Sequence, residues 1–242
     1  MITVCIPTYN GEKYIEEQLH SILRQLSSDD QVVISDDGSN DKTIEKIRAI
    51  ADSRIEIYIN RKQINRYRGI FDIIFKINRN MQNALKHAKG DYIFLADQDD
   101  IWLDNKVERI VEELKDADCI IHDCVVINDT KKVISESFFD NYIKPNPTIV
   151  GTFIQSPFMG CCMGFKSNVL KKSIPFPSFP IEHDTWIGLC ALKIGKVKII
   201  NDKLINYRRH ELNVSPCTIE NKNSLWVKLK RRVYILWGYL FY

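Results

Sequence analysis

The sequence lacks the glycine-rich signatures of the commonest nucleotide sites. No G-x-G-x-x-G follows the first strand-like segment, which argues against a Rossmann dinucleotide site. There is no G-x-x-x-x-G-K-[ST] phosphate loop and no G-x-S-x-G nucleophile elbow. Any phosphate bound here must then be neutralised by a metal ion and by basic side chains. Long hydrophobic runs are also missing. No apolar stretch reaches the roughly 20 residues that cross a bilayer, and no basic region precedes the strand-like residues 2–6, so no secretory leader is expected. Charge of one sign is not in excess: 34 Lys and Arg against 31 Asp and Glu leave +3, which speaks against a dedicated nucleic-acid binder. Internal repeats and low-complexity segments are absent. The seven cysteines are odd in number and scattered. Cys5, Cys119, Cys124, Cys161, Cys162 and Cys190 lie mostly in apolar surroundings and read as reduced core residues of a cytosolic protein. Cys119, His122 and Cys124 are close together, but no second C-x-x-C or H-x-x-x-H supports zinc.

What is present is an ordinary soluble composition over 242 residues, 45% hydrophobic and 27% charged. It suffices for one large α/β domain, with or without a small appendage. The most informative stretch is Gly90-Asp91-Tyr92-Ile93-Phe94-Leu95-Ala96-Asp97-Gln98-Asp99-Asp100-Ile101-Trp102. A β-forming apolar run ends there in three carboxylates, and uncompensated charge at the end of a buried strand is costly. Mg²⁺ and Mn²⁺ prefer carboxylate oxygens and often share them with substrate phosphates. The strand tip therefore reads as a place where a divalent metal meets a phosphorylated ligand. Solvated acids ahead of a helix N-terminus would look similar, and Asp100 and Asp104 fit that simpler role.

Periodicity predicts strands over 2–6 (stopped by Pro7), 31–35, 54–59 and 119–128, and helices over 12–26, 41–51, 69–89 and 107–114. Strands alternating with helices imply a mostly parallel sheet, whose ligands bind at the carboxyl ends of strands near the switch point. Three polar loops lie at such ends: 7–11, 36–39 and 97–100. After Val133 the chain is punctuated by Pro145, Pro147, Pro157, Pro175, Pro177 and Pro180, which excludes long helices until about His183. A helix is predicted over 183–194 and a closing hairpin over 196–208, turning at Asn201-Asp202.

Taken together, Pro7-Thr8-Tyr9-Asn10-Gly11, Asp36-Asp37-Gly38-Ser39 with Asp41-Lys42-Thr43, Gly90-Asp91-Tyr92, Asp97-Gln98-Asp99-Asp100-Ile101-Trp102 and His183-Asp184 occur in an order that resembles the family 2 glycosyltransferases of GT-A fold. The Asp97-Gln98-Asp99-Asp100-Ile101-Trp102 variant with the later His183-Asp184 resembles bacterial enzymes that build O-antigen and capsule repeat units. The resemblance implies an α/β fold, a Rossmann-like mostly parallel sheet flanked by helices with a smaller acceptor-binding part. It places a transferase domain over 1–215, divided into a nucleotide-sugar half (1–130) and an acceptor half (131–215). Thr8 and Tyr9 match the loop that packs on base and ribose. Asp37, with Asp36 beside it, matches the acid that accepts the pyrimidine N–H, a contact favouring uracil or thymine. Asp97 matches the residue facing the ribose, and Asp99 the ligand of Mn²⁺ or Mg²⁺. His210 matches a late histidine that completes the metal shell in some members. Asp184 matches the general base, and Glu182 is its rival. Arg208 and Arg209 are candidates for neutralising the diphosphate. Read without the resemblance, 36–39 is also compatible with a plain turn and N-cap, Asp184 with a helix cap, and His210 with a surface position.

The implied reaction is inverting transfer of a hexose from a nucleotide-diphosphate sugar, UDP-glucose or UDP-galactose first and dTDP-rhamnose next. The acceptor is a polyprenyl-diphosphate-linked saccharide of GlcNAc type. A sugar-nucleotide nucleotidyltransferase is the remaining enzyme alternative. No covalent nucleophile is needed. Residues 216–242 mix Lys228, Lys230, Arg231 and Arg232 with Trp226, Trp237, Tyr239, Phe241 and Tyr242, a basic aromatic segment that reads as membrane-associating through anionic lipid. A cytoplasmic protein, peripheral on the inner face of the bacterial cell membrane, is the expected setting.

Overall fold

The computed structural model describes residues 1–60, 67–210, 213 and 224–241. Four strands, β1 (Ile2–Thr8), β2 (Gln31–Asp36), β3 (Ile55–Ile59) and β4 (Tyr92–Leu95), run parallel. The helices α1 (Ile15–Leu23), α2 (Thr43–Ala49) and α3 (Ile70–Leu85) connect them. Val4, Cys5, Ile6, Val32, Val33, Ile34, Ile93, Phe94 and Leu95 are fully buried. Such unbroken apolar runs, without alternation, suit parallel strands covered on both faces.

Next come β5 (Ile101–Trp102), α4 (Lys106–Glu113), β6 (Cys119–Asn128), β7 (Val133–Ser135), α5 (Phe138–Asn141) and α6 (Ile149–Ile154). The described chain ends with β8 (Met163–Lys166), α7 (Ser167–Ser173), α8 (His183–Ile194), β9 (Val197–Arg209) and α9 (Leu225–Phe241). Across the sheet the order is β3-β2-β1-β4-β8-β6-β9-β5, with β7 beside β6. β8 lies antiparallel between β4 and β6, so the strand contributed by the second half of the chain sits inside the sheet of the first. The chain leaves β1 toward β2 on one side and later returns to β4 on the other. The loops after β1 and β4 thus meet at the switch point where open α/β sheets bind ligands.

Two expected boundaries are corrected. β1 does not stop at Pro7 but runs to Thr8, with Pro7 opposite Ser35. β4 pairs with β1 only as far as Cys5, so beyond it β1 is a free edge on that side and tolerates the missing N–H. Residues 196–208 form no hairpin. β9 is one strand, parallel to β6 from Val197 opposite Cys119 to Arg209 opposite Asn128. Its register slips where Ile200 faces His122 but Lys203 faces Asp123, so Asn201 and Asp202 are taken up as a bulge. The Asp202 carboxylate accepts from Arg109 Nε of α4 at 3.0 Å.

The helix predicted over 183–194 is α8. The C-terminal segment is α9, which buries Ile235 and Gly238 in a second apolar cluster with Ile181, Trp186, Leu189 and Cys190. A Cβ on Gly238 would lie 3.2 Å from the Trp186 ring. Tyr234 stacks on Phe179 at 5.5 Å between centroids. On the opposite side, Trp226, Leu229, Val233, Leu236, Trp237 and Leu240 recur every three or four residues, and all are exposed. No helix among the described residues is long and apolar enough to cross a membrane. The boundary expected at 215/216 lies outside the described residues.

Candidate active site

Thr8, at the end of β1, donates its hydroxyl to Asp36 Oδ2 at 2.9 Å. Asp36 is fully buried, and its carboxylate also accepts from the Gly38 and Ser39 amides and from Ser39 Oγ. It is the core of the turn after β2 and shapes this loop from within. Asp37 is half-buried beside it. Its carboxylate accepts from Asn60 Nδ2 at 2.9 Å and lies 3.9 Å from Arg79 Nη2. Tyr9 projects to solvent. Its backbone is clamped by Gln98, whose Oε1 accepts from Tyr9 N and whose Nε2 donates to Tyr9 O. Asn10 takes a left-handed backbone (φ 49°) and ties the first loop to the second: its amide donates to Ser39 Oγ and its Oδ1 accepts from Asn40 N.

The acidic segment is held by a polar stripe on α1. Gln18 Nε2 donates to Asp97 O at 2.7 Å, Ser21 Oγ accepts from Trp102 N, and Gln25 Nε2 donates to Leu103 O. Tyr14, a turn earlier, stacks on His210 at 4.8 Å between centroids. Gln18 and Ser21 on α1, with Gln25 just past its end, thus satisfy the backbone of the carboxylate loop.

Asp99 and His210 are brought together, with His210 Nε2 2.8 Å from Asp99 Oδ2. Asn213 Nδ2 donates to the same oxygen at 3.2 Å. Asp100 is fully buried. One of its oxygens accepts from Arg208 N at 3.0 Å, which ties the loop to the end of β9. Arg208 is not a diphosphate ligand here. It is 2% exposed, donates to Asp99 O and Glu17 Oε2, and lies over the Tyr14 ring. Arg209 donates to the Tyr207 hydroxyl at 3.2 Å.

Donor atoms of Asp97, Asp100 and Cys161 lie within 4.8 Å of one another. Burial pushes the Asp97 carboxyl up to about 7, with like-charge repulsion from Asp99 and then Asp184 adding to it. The Cys161 thiol is held well above its ordinary value by its hydrogen bond with Cys162 and by burial. Lys106 is buried behind this cluster, donates to Cys161 O at 2.8 Å, and is drawn down to about 8 by burial. The Cys119-His122-Cys124 group forms no metal-holding cluster among the described residues.

The residues fit a divalent ion at Asp99 and His210. A carboxylate oxygen paired with an imidazole nitrogen suits Mn²⁺ better than Mg²⁺, whose shell is of oxygen.

Asp184 lies in the first turn of α8. Its Oδ1 accepts from the Thr185 amide at 2.6 Å, and its charge is felt at Asp97. A Cβ on Gly160 would meet His183 Nε2 at 3.0 Å and both Asp184 Cβ and Leu95 at 3.8 Å. The start of α8 is therefore pressed against the end of β4. Glu182 points elsewhere: its Oε1 is 2.5 Å from Arg231 Nη2 of α9. Sequence reasoning missed Gln18, Gln98, Tyr14 and Lys106, and it gave Arg208 a different role. Gln18 carried a signal, being a polar residue inside an otherwise apolar helical stripe.

Parallel strands meeting an inserted antiparallel one, with a carboxylate loop at the switch point, define a glycosyltransferase of GT-A fold. The chain belongs to glycosyltransferase family 2: the description "Glycosyl transferase family 2" matches residues 3–174. It is 27% identical over 259 residues to an Escherichia coli UDP-Glc:alpha-D-GlcNAc-diphosphoundecaprenol beta-1,3-glucosyltransferase, WfgD, covering 99% of this chain and 92% of that one. It is 30% identical over 225 residues to the dTDP-rhamnosyl transferase RfbG of Shigella flexneri, covering 85% and 72%. Among solved structures, S. aureus TarS in complex with UDP-GlcNAc superposes with a TM-score of 0.68 at 16% identity, covering 98% of this chain and 66% of that one. The mannosyltransferase PcManGT of Pyrobaculum calidifontis, in complex with GDP-Man and Mn²⁺, gives 0.61 at 19% identity, covering 88% and 58%.

Proposed function

We propose that this protein transfers a hexose, with inversion, from a nucleotide-diphosphate sugar to a polyprenyl-diphosphate-linked saccharide in O-antigen or capsule synthesis. The observation that carries the reading is the convergence of Asp99 with His210 on one wall and Asp184 on the other, at the β1/β4 switch point. UDP-glucose or UDP-galactose is the favoured donor, and the donor named for the E. coli relative supports it. The rhamnosyl relative keeps dTDP-rhamnose as the second reading. The acceptor rests on the lipid-linked GlcNAc in the E. coli relative's name.

In this reading exposed Tyr9 packs on the base and Asp37 accepts its N–H. Thr8 and Asp36 keep that loop in shape, and Asp97 faces the ribose. Asp99 and His210 would hold Mn²⁺ or Mg²⁺, which when bound supplies Lewis-acid stabilisation of the departing diphosphate. Asp184 takes the acceptor hydroxyl's proton as that oxygen attacks. The ion pair between Glu182 and Arg231 supports Asp184 over Glu182 as the base.

The exposed apolar face of α9 supports a peripheral place on the cytosolic face of the membrane. The sequence suggests attachment through basic residues, but Arg231 meets Glu182 and Arg232 Nε donates to Phe153 O at 3.3 Å, so both turn inward. Attachment is then mainly apolar, with Trp226 and Trp237 as interfacial anchors.

The test is transfer from UDP-glucose, UDP-galactose and dTDP-rhamnose to a GlcNAc-diphospholipid with Mn²⁺, read by mass spectrometry. One donor is expected to yield a single inverted product, and Asp184→Asn to lower turnover by about 10²-fold with donor affinity kept. Formation of a sugar nucleotide from a sugar phosphate and UTP, without transfer, would replace this reading by the nucleotidyltransferase one.

A further inference from the structure

The residue two positions before Asp184 is bound to an element far away in sequence. Glu182 is the cap residue of α8, and its backbone carbonyl accepts from Trp186 N at 2.8 Å as the first bond of the helix. Its side chain leaves the cleft and meets Arg231 on α9 at 2.5 Å. The pair is mostly covered, with side chains 21% and 34% exposed. A charge at Glu182 without its partner would be a desolvated acid close to a second one. Burial already pushes the Glu182 carboxyl upward, Arg231 opposes that shift, and Asp184 adds to it. Around this contact α9 is fixed to α8 by Gly238 against Trp186, and to the segment before α8 by Tyr234 on Phe179. The helix that presents Asp184 to the cleft is thus held from behind, and the ionic tether sits at the turn that carries Asp184.

We propose that Arg231 is a positioning residue for sugar transfer: by holding the Glu182 carboxylate on α9, it keeps that charge away from Asp184 and so preserves the direction in which Asp184 points. The proposal rests on Asp184 as the base. Arg231 touches neither donor nor acceptor in it. Without the tether the unpaired Glu182 carboxylate would turn toward the cleft and displace Asp184 from its line to the acceptor hydroxyl, and small misplacements of a catalytic group are costly in rate.

The test compares Arg231→Met, which keeps the aliphatic stem, with the double variant Arg231→Met/Glu182→Gln and with Asp184→Asn, all in the full chain. UDP with Mn²⁺ serves as the binding probe. The expected result for Arg231→Met is a kcat lowered about tenfold with UDP affinity within about twofold of wild type. The double variant should regain most of kcat, because it removes the stray charge without restoring the contact to α9. Wild-type kcat in Arg231→Met overturns the proposal. So does a fall in kcat that the double variant fails to recover and that follows loss of melting temperature, since that marks a purely structural contact. If Asp184→Asn stays active, the base assignment falls and the proposal falls with it. An inactive Asp184→Asn beside a fully active Arg231→Met removes the positioning role alone.

Discussion

Asp97 and Asp99 are one residue apart from being neighbours, yet their surroundings differ. Asp99 is matched by His210 and Asn213, whereas Asp97 is pushed up to about 7 by burial and by two nearby acids. A carboxyl raised in the folded state favours its protonated form there. Its stabilising contribution is complete below the unfolded value near 4 and is lost as pH rises through about 7. Asp97→Asn does not titrate. Its melting temperature, relative to wild type without donor, is expected to rise from pH 4 to pH 8 in a series of thermal scans. A flat difference would refute the shift. At the metal, His210→Ala should weaken Mn²⁺-dependent UDP binding about tenfold or more, and Asp99→Asn more strongly. Full UDP binding in excess chelator would count against both. The acids stood out because charge at a strand tip is chemically unusual, whereas His210 was suggested only by the family resemblance. The role of Arg208 was not legible, because a buried guanidinium and a phosphate-binding one look alike in sequence, and only its bonds to Glu17 and Asp99 O tell them apart.

Elements with regular periodicity were read to within a few residues. β6 spans 119–128 and α8 spans 183–194 in both sequence and structure. The reading failed at β9, where Asn201-Asp202 carries a turn signal but the partner strand β6 continues past it, so pairing converts the turn to a bulge. For α9 the sequence showed basic and aromatic residues without saying which face each occupies. Tertiary contacts turn Arg231 and Arg232 inward and leave Trp226 and Trp237 outside. Binding to neutral phosphatidylcholine vesicles is therefore expected to persist at about 0.5 M salt, where exposed charges more than a few ångströms apart are screened. Trp226→Ala and Trp237→Ala should each weaken it about tenfold in flotation assays. Release by salt alone would restore the electrostatic mode. Tryptophan-dependent dimers without vesicle binding would instead make this face a contact between two copies of the chain.

At the scale of the molecule, the fold class and the meeting of three loops at one sheet edge followed from strand–helix alternation. The insertion of β8 between β4 and β6 did not, since short antiparallel strands among prolines leave little periodicity. Because β8 joins the halves, cleft and scaffold are expected to unfold together. Removing residues 224–242 uncovers Trp186, Ile181 and Cys190. Such a truncation is expected to lower the melting temperature by about 5 °C or more and to leave a stickier protein. An unchanged melting curve would show that α9 contributes nothing to the fold.

The two sides of α9 should also age differently as the sequence drifts. If the exposed face meets lipid as proposed, it has no fixed shape to match, so positions 229, 233, 236 and 240 can exchange one apolar side chain for another at little cost. Position 238 faces the Trp186 ring with no room for a β-carbon to settle freely, and position 231 faces a single carboxylate. Descendants of this chain are expected to scatter along one edge of the helix and to stand still along the other, leaving in their variation a record of which side met the protein.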